Sequence, residues 1–326
     1  MKSKDTKKTG FDKFKNILDF WATNSEEGGW NISSTDEGSQ KMLEDESDKQ
    51  VKIQMGSDVV DDFVIDEDTS DDERMIVNMG PQHPSTHGVL RLQAELEGEV
   101  VRRVKPIIGY LHTGMEKTGE ELNYFQGPTN TTRMDYLSPL FNELVFSLTT
   151  EKLIGIEVPE RAKTIRVLMT ELNRISSHLV ALATGGMDIG ALSMMIFGFR
   201  ERELILNFFE KTTGLRMNHN YIRPGGVAAD LPDGWQKDVK EILKIIPEKL
   251  QDYDDMLLDN PIWKGRLQNV GILTTEECFA YGVTGPSLRA SGYEWDLRKS
   301  QPYSGIENYD FETPVLNEGD VFARWR

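Results

Sequence analysis

The sequence predicts an α+β fold, in which a small antiparallel β-sheet packs on a bundle of long helices. Two patterns predict it: a strand–turn–strand pattern over residues 90–105, and four long segments with helical apolar periodicity between residues 137 and 259. The length of 326 residues is enough to bury a sizeable core in two structural layers.

The strand pattern is "VLRLQAELEGEVVRRVKP", in which Leu90, Leu92, Ala94 and Leu96 alternate with polar residues. Alternation with a period of two predicts a strand with one packed face and one face in water. Gly98 then turns the chain into a second strand over residues 100–105. We expect the segment "HPSTH" to lie on a loop that enters the first of these strands.

The helical segments repeat apolar residues every three or four positions. The expected helices cover residues 137–154, 159–184, 189–213 and 233–259. The sequence "GGM" at 185–187 is expected to separate the second helix from the third, with Asp188 as a candidate N-cap and Gly214 as the stop signal. Thr274 and Glu277 predict a capping box for a later, shorter helix.

Charge and composition predict three regions: an acidic, mostly disordered extension over 1–73, a hairpin subdomain over 74–113 and a helical subdomain over 114–326. Residues 1–73 hold 20 Asp and Glu against 9 Lys, so −11 of the net −17 lies there. Such acidity with little apolar surface is typical of disordered chain. Within it, Phe11, Phe14, Leu18 and Trp21 form one stripe if the segment is helical, which suits a membrane surface or a partner.

Composition also restricts the class of function. The negative charge argues against a nucleic-acid partner. Cys278 is the only cysteine, so the chain forms no internal disulfide and carries no thiolate-bound cluster, and we expect a reducing compartment. No apolar run approaches the ~20 residues that a membrane span needs, and the N-terminus does not resemble a secretory signal.

The histidines of "HPSTH", His83 and His87, allow three interpretations. They are spaced like two zinc ligands, with His112 as a possible third, but Pro84 argues against the helix that this spacing requires. They also suit an ordinary loop. A third interpretation is a proton donor, since histidine ordinarily titrates near pH ~6.5.

The stretch "TNTTRMDYLSP" also has a structural interpretation beside a functional one. Asp135 or Ser138 suits an N-cap of the helix that follows. Tyr136 near Arg133 at a helix start is commonly a packing residue. On the residues alone, both interpretations stay open.

Several segments together closely resemble one family, the D subunit of the proton-pumping NADH–quinone oxidoreductase, respiratory complex I. The resemblance runs in order from Met75 to Phe322. It is carried by "MGPQHPSTHGVLRL", "GYLHTGMEKT", "RMDYLSP", "ELNRISSHL", "FRERE", "YIRPGGV", "LRASGYEWDLRKSQPYSGIENYDF" and "GDVFAR".

The resemblance implies a fold like that of the nickel–iron hydrogenase large subunit, with the nickel site lost. Asp135 and Ser138 stand where that hydrogenase family has cysteines. It implies a quinone-reducing enzyme complex in which this polypeptide, inactive alone, lines the quinone cavity. His87 and Tyr136 match the family's quinone-binding residues, and Asp188 matches the acidic partner of the histidine, so these three are the expected catalytic residues.

The resemblance also implies the setting. Ubiquinone or menaquinone is the expected substrate, with no metal or iron–sulfur cluster on this chain, and NADH and the clusters on partner subunits. The expected partners are the B, C, I and H subunits, on the cytoplasmic side of the cell membrane, where the chain is peripheral. The family continues past "GDVFAR", so the chain is expected to be truncated.

Two departures affect the expected cluster-facing region. The family often has an arginine where this chain has Thr113 and a histidine where it has Asn218, with His219 one place later. Fewer positive groups stabilise a reduced cluster less, which favours a lower-potential acceptor such as menaquinone.

The competing hypotheses are an active hydrogenase relative, which would need more thiolates, and a truncated, non-catalytic scaffold.

Overall fold

The computed structural model describes residues 52–53 and 74–326. The chain divides into two compact units, Met1–Thr113 and Gly114–Arg326. The first unit contains a β-sheet, and the second contains the helices.

Two predictions fall on residues outside the described part of the chain. They are the disorder of residues 1–73 and the apolar stripe from Phe11 to Trp21. Within that segment, Lys52–Ile53 is described and forms a short strand.

The sheet of the first unit has four strands. They are β1 (Lys52–Ile53), β2 (Arg74–Met79), β3 (Arg91–Glu97) and β4 (Val100–Ile107). Their order is β1-β4-β3-β2, in which β3 is antiparallel to both β2 and β4, and β1 is parallel to β4. The predicted strand pair with its turn at Gly98 is confirmed, whereas the alternation at 90–105 gave no sign of β2.

The prediction that β3 has one face in water is wrong. Glu95 and Gln93 belong to the polar set of β3, yet only 7% and 2% of their surfaces are exposed. Glu95 pairs with Arg74 of β2 at 3.3 Å and with Arg103 of β4 at 3.8 Å. Because cross-strand neighbours on one face lie within reach of each other, long arginine side chains cover the carboxylate.

The regular secondary structure of the second unit is helical apart from one small hairpin. Its helices are α1 (Met115–Glu121), α2 (Gly127–Thr131), α3 (Pro139–Ile154), α4 (Glu160–Asp188), α5 (Ser193–Thr213), α6 (Trp235–Tyr253), α7 (Pro261–Leu267), α8 (Thr275–Ala280), α9 (Gly285–Ala290), α10 (Leu297–Ser300) and α11 (Val321–Trp325). The hairpin pairs β5 (Ile222–Arg223) with β6 (Gly226–Val227). The prediction of a small antiparallel sheet together with a bundle of long helices is confirmed by these elements, as is the capping box at Thr274 and Glu277.

Helix α4 runs straight through the "GGM" sequence, so the predicted interruption there is wrong. Gly186 of this sequence and Gly198 of α5 let the two helices approach closely. A Cβ at Gly186 would lie 2.8 Å from Met194 Cβ, and one at Gly198 would lie 2.8 Å from Ala183 Cβ. The small residues therefore serve the packing of α4 on α5, which outweighs the low helix propensity of glycine.

One hydrophobic core joins α3, α4, α5 and α6. Its most buried members include Leu140, Met169, Ile205, Phe209 and Ile222. Cys278 of α8 is completely buried as a free thiol.

Two buried carboxylates, eight residues apart on α3, hold the chain around the β5–β6 hairpin. Glu143 accepts hydrogen bonds from the backbone N–H groups of Asn220 (2.6 Å), Tyr221 (2.8 Å) and Ile222 (2.9 Å), and from the hydroxyl of Thr132 (2.6 Å). Burial raises the pKa of Glu143, and these four hydrogen bonds oppose that rise.

The second carboxylate, Glu151, forms a bidentate ion pair with Arg166 of α4, at 2.5 and 3.1 Å. Both side chains are buried. Glu151 also accepts from the N–H of Gly225 at 2.8 Å, and Arg166 donates to the carbonyl oxygens of Arg223 and Gly226. This buried pair therefore ties α3, α4 and the hairpin together.

Candidate functional site

The loop between β2 and β3 carries the "HPSTH" segment and contains a single 3-10 turn, Pro84–Thr86. His83 is the N-cap of this turn, where its Nδ1 accepts from the backbone N–H of Ser85 at 3.2 Å and lies 2.6 Å from the Ser85 hydroxyl. A nitrogen that accepts from a backbone N–H carries no proton. His83 therefore acts as a capping residue, which favours the structural interpretation for this member of the pair.

His87 ends the same turn in the left-handed conformation, with a φ of 53°, and Gly88 follows with a φ of 79°. Its side chain is exposed. Two successive positive φ values turn the backbone sharply before β3, so His87 lies at a corner of the loop. Among the described residues, no group of three or more His, Cys, Asp or Glu side chains is placed to hold a metal ion.

Tyr136 lies between α2 and α3 on an irregular segment, and its side chain is 45% exposed. The segment itself is held from both sides. The side-chain amide of Asn142 donates to the carbonyl of Asp135 at 3.0 Å, and that of Asn173 donates to the carbonyl of Leu137 at 2.9 Å. The phenol is therefore presented to the surface by a fixed backbone, a common arrangement for a binding residue.

The predicted N-cap of α3 is only partly correct. Ser138 occupies the cap position, but its side chain makes no cap hydrogen bond and instead lies 3.5 Å from the hydroxyl of Ser177. Asp135 accepts from the N–H of Leu137 within the preceding turn. The backbone N–H of Leu140, in the first turn of α3, donates to the side-chain amide oxygen of Asn173 at 3.1 Å. A residue of α4 therefore caps α3 through a tertiary contact.

Asp188 is the last residue of α4, with an exposed side chain, so the prediction that it caps the next helix is wrong. The helical rise places it about 16 Å along the axis from Ser177, which contacts the start of α3. Tyr136 and Asp188 belong to the second unit, and His87 belongs to the first. Their joint role in one site stays a prediction.

The segment that follows α5 contains a buried histidine. Nε2 of His219 lies 3.1 Å from the carbonyl oxygen of Arg216, and its ring packs edge-on against Phe209 with 4.9 Å between centroids. Within the described residues, Nδ1 of His219 and Oδ1 of Asn218 are buried without a hydrogen-bond partner. Burial lowers the pKa of His219 to about 4, so this ring is neutral at pH 7.

We expect His219 to make the stability of the second unit depend on pH. Its pKa is about 4 in the folded chain, against ~6.5 when unfolded, so unfolding takes up a proton between these values. The contribution of neutral His219 to the free energy of unfolding is therefore complete above pH ~6.5 and is lost as the pH falls toward 4. Relative to His219→Phe, the natural chain should lose about 2 kcal/mol between pH 7 and pH 5.

Urea unfolding at both pH values measures this loss. His112→Phe replaces an exposed histidine and should follow the natural chain at both pH values. Equal losses of stability in the natural chain and in His219→Phe would contradict a neutral, buried His219.

Sequence reasoning missed the residues that support Tyr136. Asn142 is half-buried on α3 and gives no signal in the sequence. Asn173 is buried within the apolar helical pattern of α4, where a polar residue at a core-facing position is unusual. Such a position signals a buried hydrogen bond to irregular backbone. The signal identifies a supporting residue without saying which backbone it holds.

Comparison with known proteins identifies the family. Residues 188–326 match the family described as "Respiratory-chain NADH dehydrogenase, 49 Kd subunit". The chain is 59% identical over 260 residues to the D 1 subunit of the NADH-quinone oxidoreductase of Salinispora arenicola, an alignment that covers 79% of this chain and 59% of that protein. It is 56% identical over 278 residues to the D subunit of the NADH-quinone oxidoreductase of Mycobacteroides abscessus, which covers 85% of this chain and 64% of the relative.

A third relative, the corresponding D subunit of Rhodococcus jostii, is 59% identical over 256 residues, 78% of this chain and 58% of its own length. The chain thus spans less than two thirds of the length of these relatives. Their agreement in name and their high identity confirm the resemblance that the sequence motifs indicated. The chain belongs to the family of the 49 kDa subunit, also called the D subunit, of respiratory-chain NADH dehydrogenase.

Proposed function

We propose that this chain acts as the D subunit of a proton-translocating NADH–quinone oxidoreductase and lines its quinone-reduction cavity. In this proposal, electrons from NADH reach the terminal iron–sulfur cluster on the B subunit and pass to quinone beside the present chain. The observation that carries the proposal is the 56–59% identity to relatives that are named as the D subunit. The chain supplies part of the site and is inactive alone.

Tyr136, His87 and Asp188 are the proposed catalytic residues. Tyr136 and His87 are exposed side chains on non-helical backbone, which suits contact with a ligand that a second polypeptide also touches. The phenol and the imidazole bind the two ends of the quinone headgroup. Asp188 is the acidic partner of the histidine.

Quinone reduction consumes two electrons and two protons for each quinol formed. The electrons come from the cluster of the neighbouring polypeptide, and a cavity shielded from water needs proton donors within hydrogen-bond reach. A phenol is a weak acid, yet it can donate as the reduced quinone oxygen becomes strongly basic. Protons lost by Tyr136 and His87 are replaced from water, and the transient charge change is passed through Asp188 toward the membrane subunits, where it drives proton translocation.

The proposed location is peripheral, on the cytoplasmic side of the cell membrane, in contact with the B, C, I and H subunits. Among the described helices, none is both long enough and apolar enough to cross a bilayer. Attachment would therefore depend on partner subunits. No metal or cluster is proposed for this chain.

Co-purification from membranes tests the assignment. The tagged chain, produced in cells that make the other subunits, should sediment with membranes and be recovered with the cluster-bearing partner and its iron. A wash at high pH should release it from the membrane, because the contact is peripheral. Cells that lack the B subunit provide the control, in which the chain should leave the membrane fraction. Recovery of the chain without any iron–sulfur partner from complete cells would contradict the proposal.

A further inference from the structure

A buried carboxylate that the proposed mechanism does not use contacts the segment that carries Tyr136. Glu143, in the second turn of α3, has no exposed surface. The same is true of Thr132, whose hydroxyl donates to Oε1 of Glu143 at 2.6 Å. Thr132 follows the last residue of α2 and lies four residues before Tyr136. The contact is therefore internal, although Tyr136 itself is half-exposed.

The orientation of the Glu143 carboxylate is fixed from its other side. Oε1 also accepts from the backbone N–H of Asn220 at 2.6 Å, and Oε2 accepts from those of Tyr221 and Ile222 at 2.8 and 2.9 Å. Each oxygen thus accepts two hydrogen bonds, and all four partners are donors. Because a protonated carboxyl would place its own donor against one of them, this arrangement requires the carboxylate form. Glu143 is therefore a firmly held acceptor for the hydroxyl of Thr132.

The backbone between Thr132 and Tyr136 transmits this contact. The side-chain amide of Asn142, the residue before Glu143 on α3, donates to the carbonyl of Asp135 at 3.0 Å and lies 3.5 Å from that of Thr132. Adjacent residues of one helix thus hold both ends of this short segment, one through a side-chain hydroxyl and the other through backbone carbonyls. A displacement of Thr132 would therefore reach Tyr136 with few freely rotating bonds between them.

We propose that Glu143 is a positioning residue for quinone reduction, which acts through the hydroxyl of Thr132 on the backbone that presents Tyr136. This role rests on the proposed function, in which Tyr136 binds the quinone headgroup. A binding group on irregular backbone keeps a productive geometry only where the surrounding residues hold that backbone. Asn173 holds it on the C-terminal side of Tyr136, and Glu143 holds it on the N-terminal side.

Thr132→Val in the assembled complex tests this role, because valine keeps the volume of the side chain and removes the hydroxyl. NADH-driven reduction of a short-chain quinone should lose about 10-fold in kcat/KM, less than the ~100-fold that a misplacement of ~1 Å can cost. Electron transfer from NADH to a soluble artificial acceptor should persist. Substitution of Glu143 itself is a poorer test, because the amide nitrogen of glutamine would face two donors and destabilise the fold.

Thr132→Ser distinguishes positioning from packing. Serine keeps the hydroxyl and loses a methyl group, so a positioning role predicts a kcat/KM close to that of the natural chain. A packing role predicts the reverse order, in which serine is more damaging than valine at a buried position. A smaller loss for Thr132→Val than for Thr132→Ser would therefore overturn the proposal.

Thr150→Val is the matched control. Thr150 is also buried, and its hydroxyl donates to the helix carbonyl of Phe146 at 2.9 Å, within α3 itself. The substitution removes the same group without affecting the segment before Tyr136, so quinone reduction should be unchanged. Equal losses in Thr132→Val and Thr150→Val would overturn the proposal.

Hydrogen exchange of the complex measures the same contact without quinone. In Thr132→Val, amide exchange in peptides that cover residues 132–138 should be at least ~10-fold faster than in the natural chain, because this backbone has lost an anchor. Thr150→Val should leave the rate there unchanged. An unchanged rate in Thr132→Val overturns the positioning role even where Tyr136→Phe lowers quinone turnover. A faster rate together with a fully active Tyr136→Phe would overturn the assignment of Tyr136 to the quinone, and with it the positioning role, while the contact of Glu143 would stand.

Discussion

Tyr136→Phe is expected to lower the quinone reductase activity of the assembled complex by at least ~10-fold, the smaller end of the range for losing a positioned acid or polar contact. The substitution keeps the aromatic ring, and the hydroxyl belongs to a half-exposed side chain, so folding should be preserved. The backbone on each side stays held by Asn142 and Asn173. The measurement is NADH-driven reduction of a short-chain quinone by purified membranes.

Two controls make the result specific. Electron transfer from NADH to a soluble artificial acceptor should persist, because that path ends before the quinone. Tyr281→Phe removes the same hydroxyl group from another exposed tyrosine and should leave both activities unchanged. If Tyr136→Phe left quinone turnover and apparent quinone affinity unchanged in a fully assembled complex, Tyr136 would not be a quinone-binding residue.

Arg166→Met is expected to destabilise the second unit by about 3–5 kcal/mol, because it leaves the buried Glu151 carboxylate without its cation. The substitution also removes the guanidinium that donates hydrogen bonds to the carbonyl oxygens of Arg223 and Gly226. For a unit of this size, the loss should lower the melting temperature by roughly 10 °C. Thermal unfolding followed by tryptophan fluorescence measures it.

Arg161→Met is the matched control on the same helix. Arg161 pairs with Asp230 at 2.8 Å, but both side chains are more than half exposed, so the loss should stay below about 1 kcal/mol. The double variant Arg166→Met with Glu151→Leu should recover part of the stability, since it removes the unpaired charge. Equal melting temperatures for Arg161→Met and Arg166→Met would show that burial adds nothing to this ion pair.

The sequence predicted most reliably where a single local rule decides the structure. The left-handed Gly214 ends α5, and Thr274 and Glu277 form the capping box, because these signals act within a few residues of the chain. The long helices follow from periodicity alone. These elements need no knowledge of what packs against them.

Local rules failed where a distant contact decided the structure. The "GGM" sequence continues as helix because its small residues permit close contact with Met194, and Asp188 therefore ends a helix that it was expected to precede. The start of α3 is capped by Asn173 of α4 in place of Ser138. Glu95 is buried because arginines of two other strands cover it, which no alternation within one strand can reveal.

The candidate site divides in the same way. Tyr136, His87 and Asp188 were found by motif resemblance, since their residue types alone also suit packing, loop and capping roles. Of the two supporting residues, Asn173 lies far from Tyr136 in the sequence, and Asn142 lies within an ordinary helical pattern. Their hydrogen-bond partners are backbone carbonyls, which every residue type has, so the sequence of the contacted residue does not indicate the contact.

The burial of Cys278 makes the chain well suited to site-specific labelling. This thiol is the only one in the 326 residues, and it lies in α8 with no exposed surface. A maleimide reagent should therefore not react with it in the native state. A cysteine introduced at the exposed Met134 would then be the sole reactive position, two residues from Tyr136. A spin label or fluorophore attached there would report directly when another molecule covers the loop.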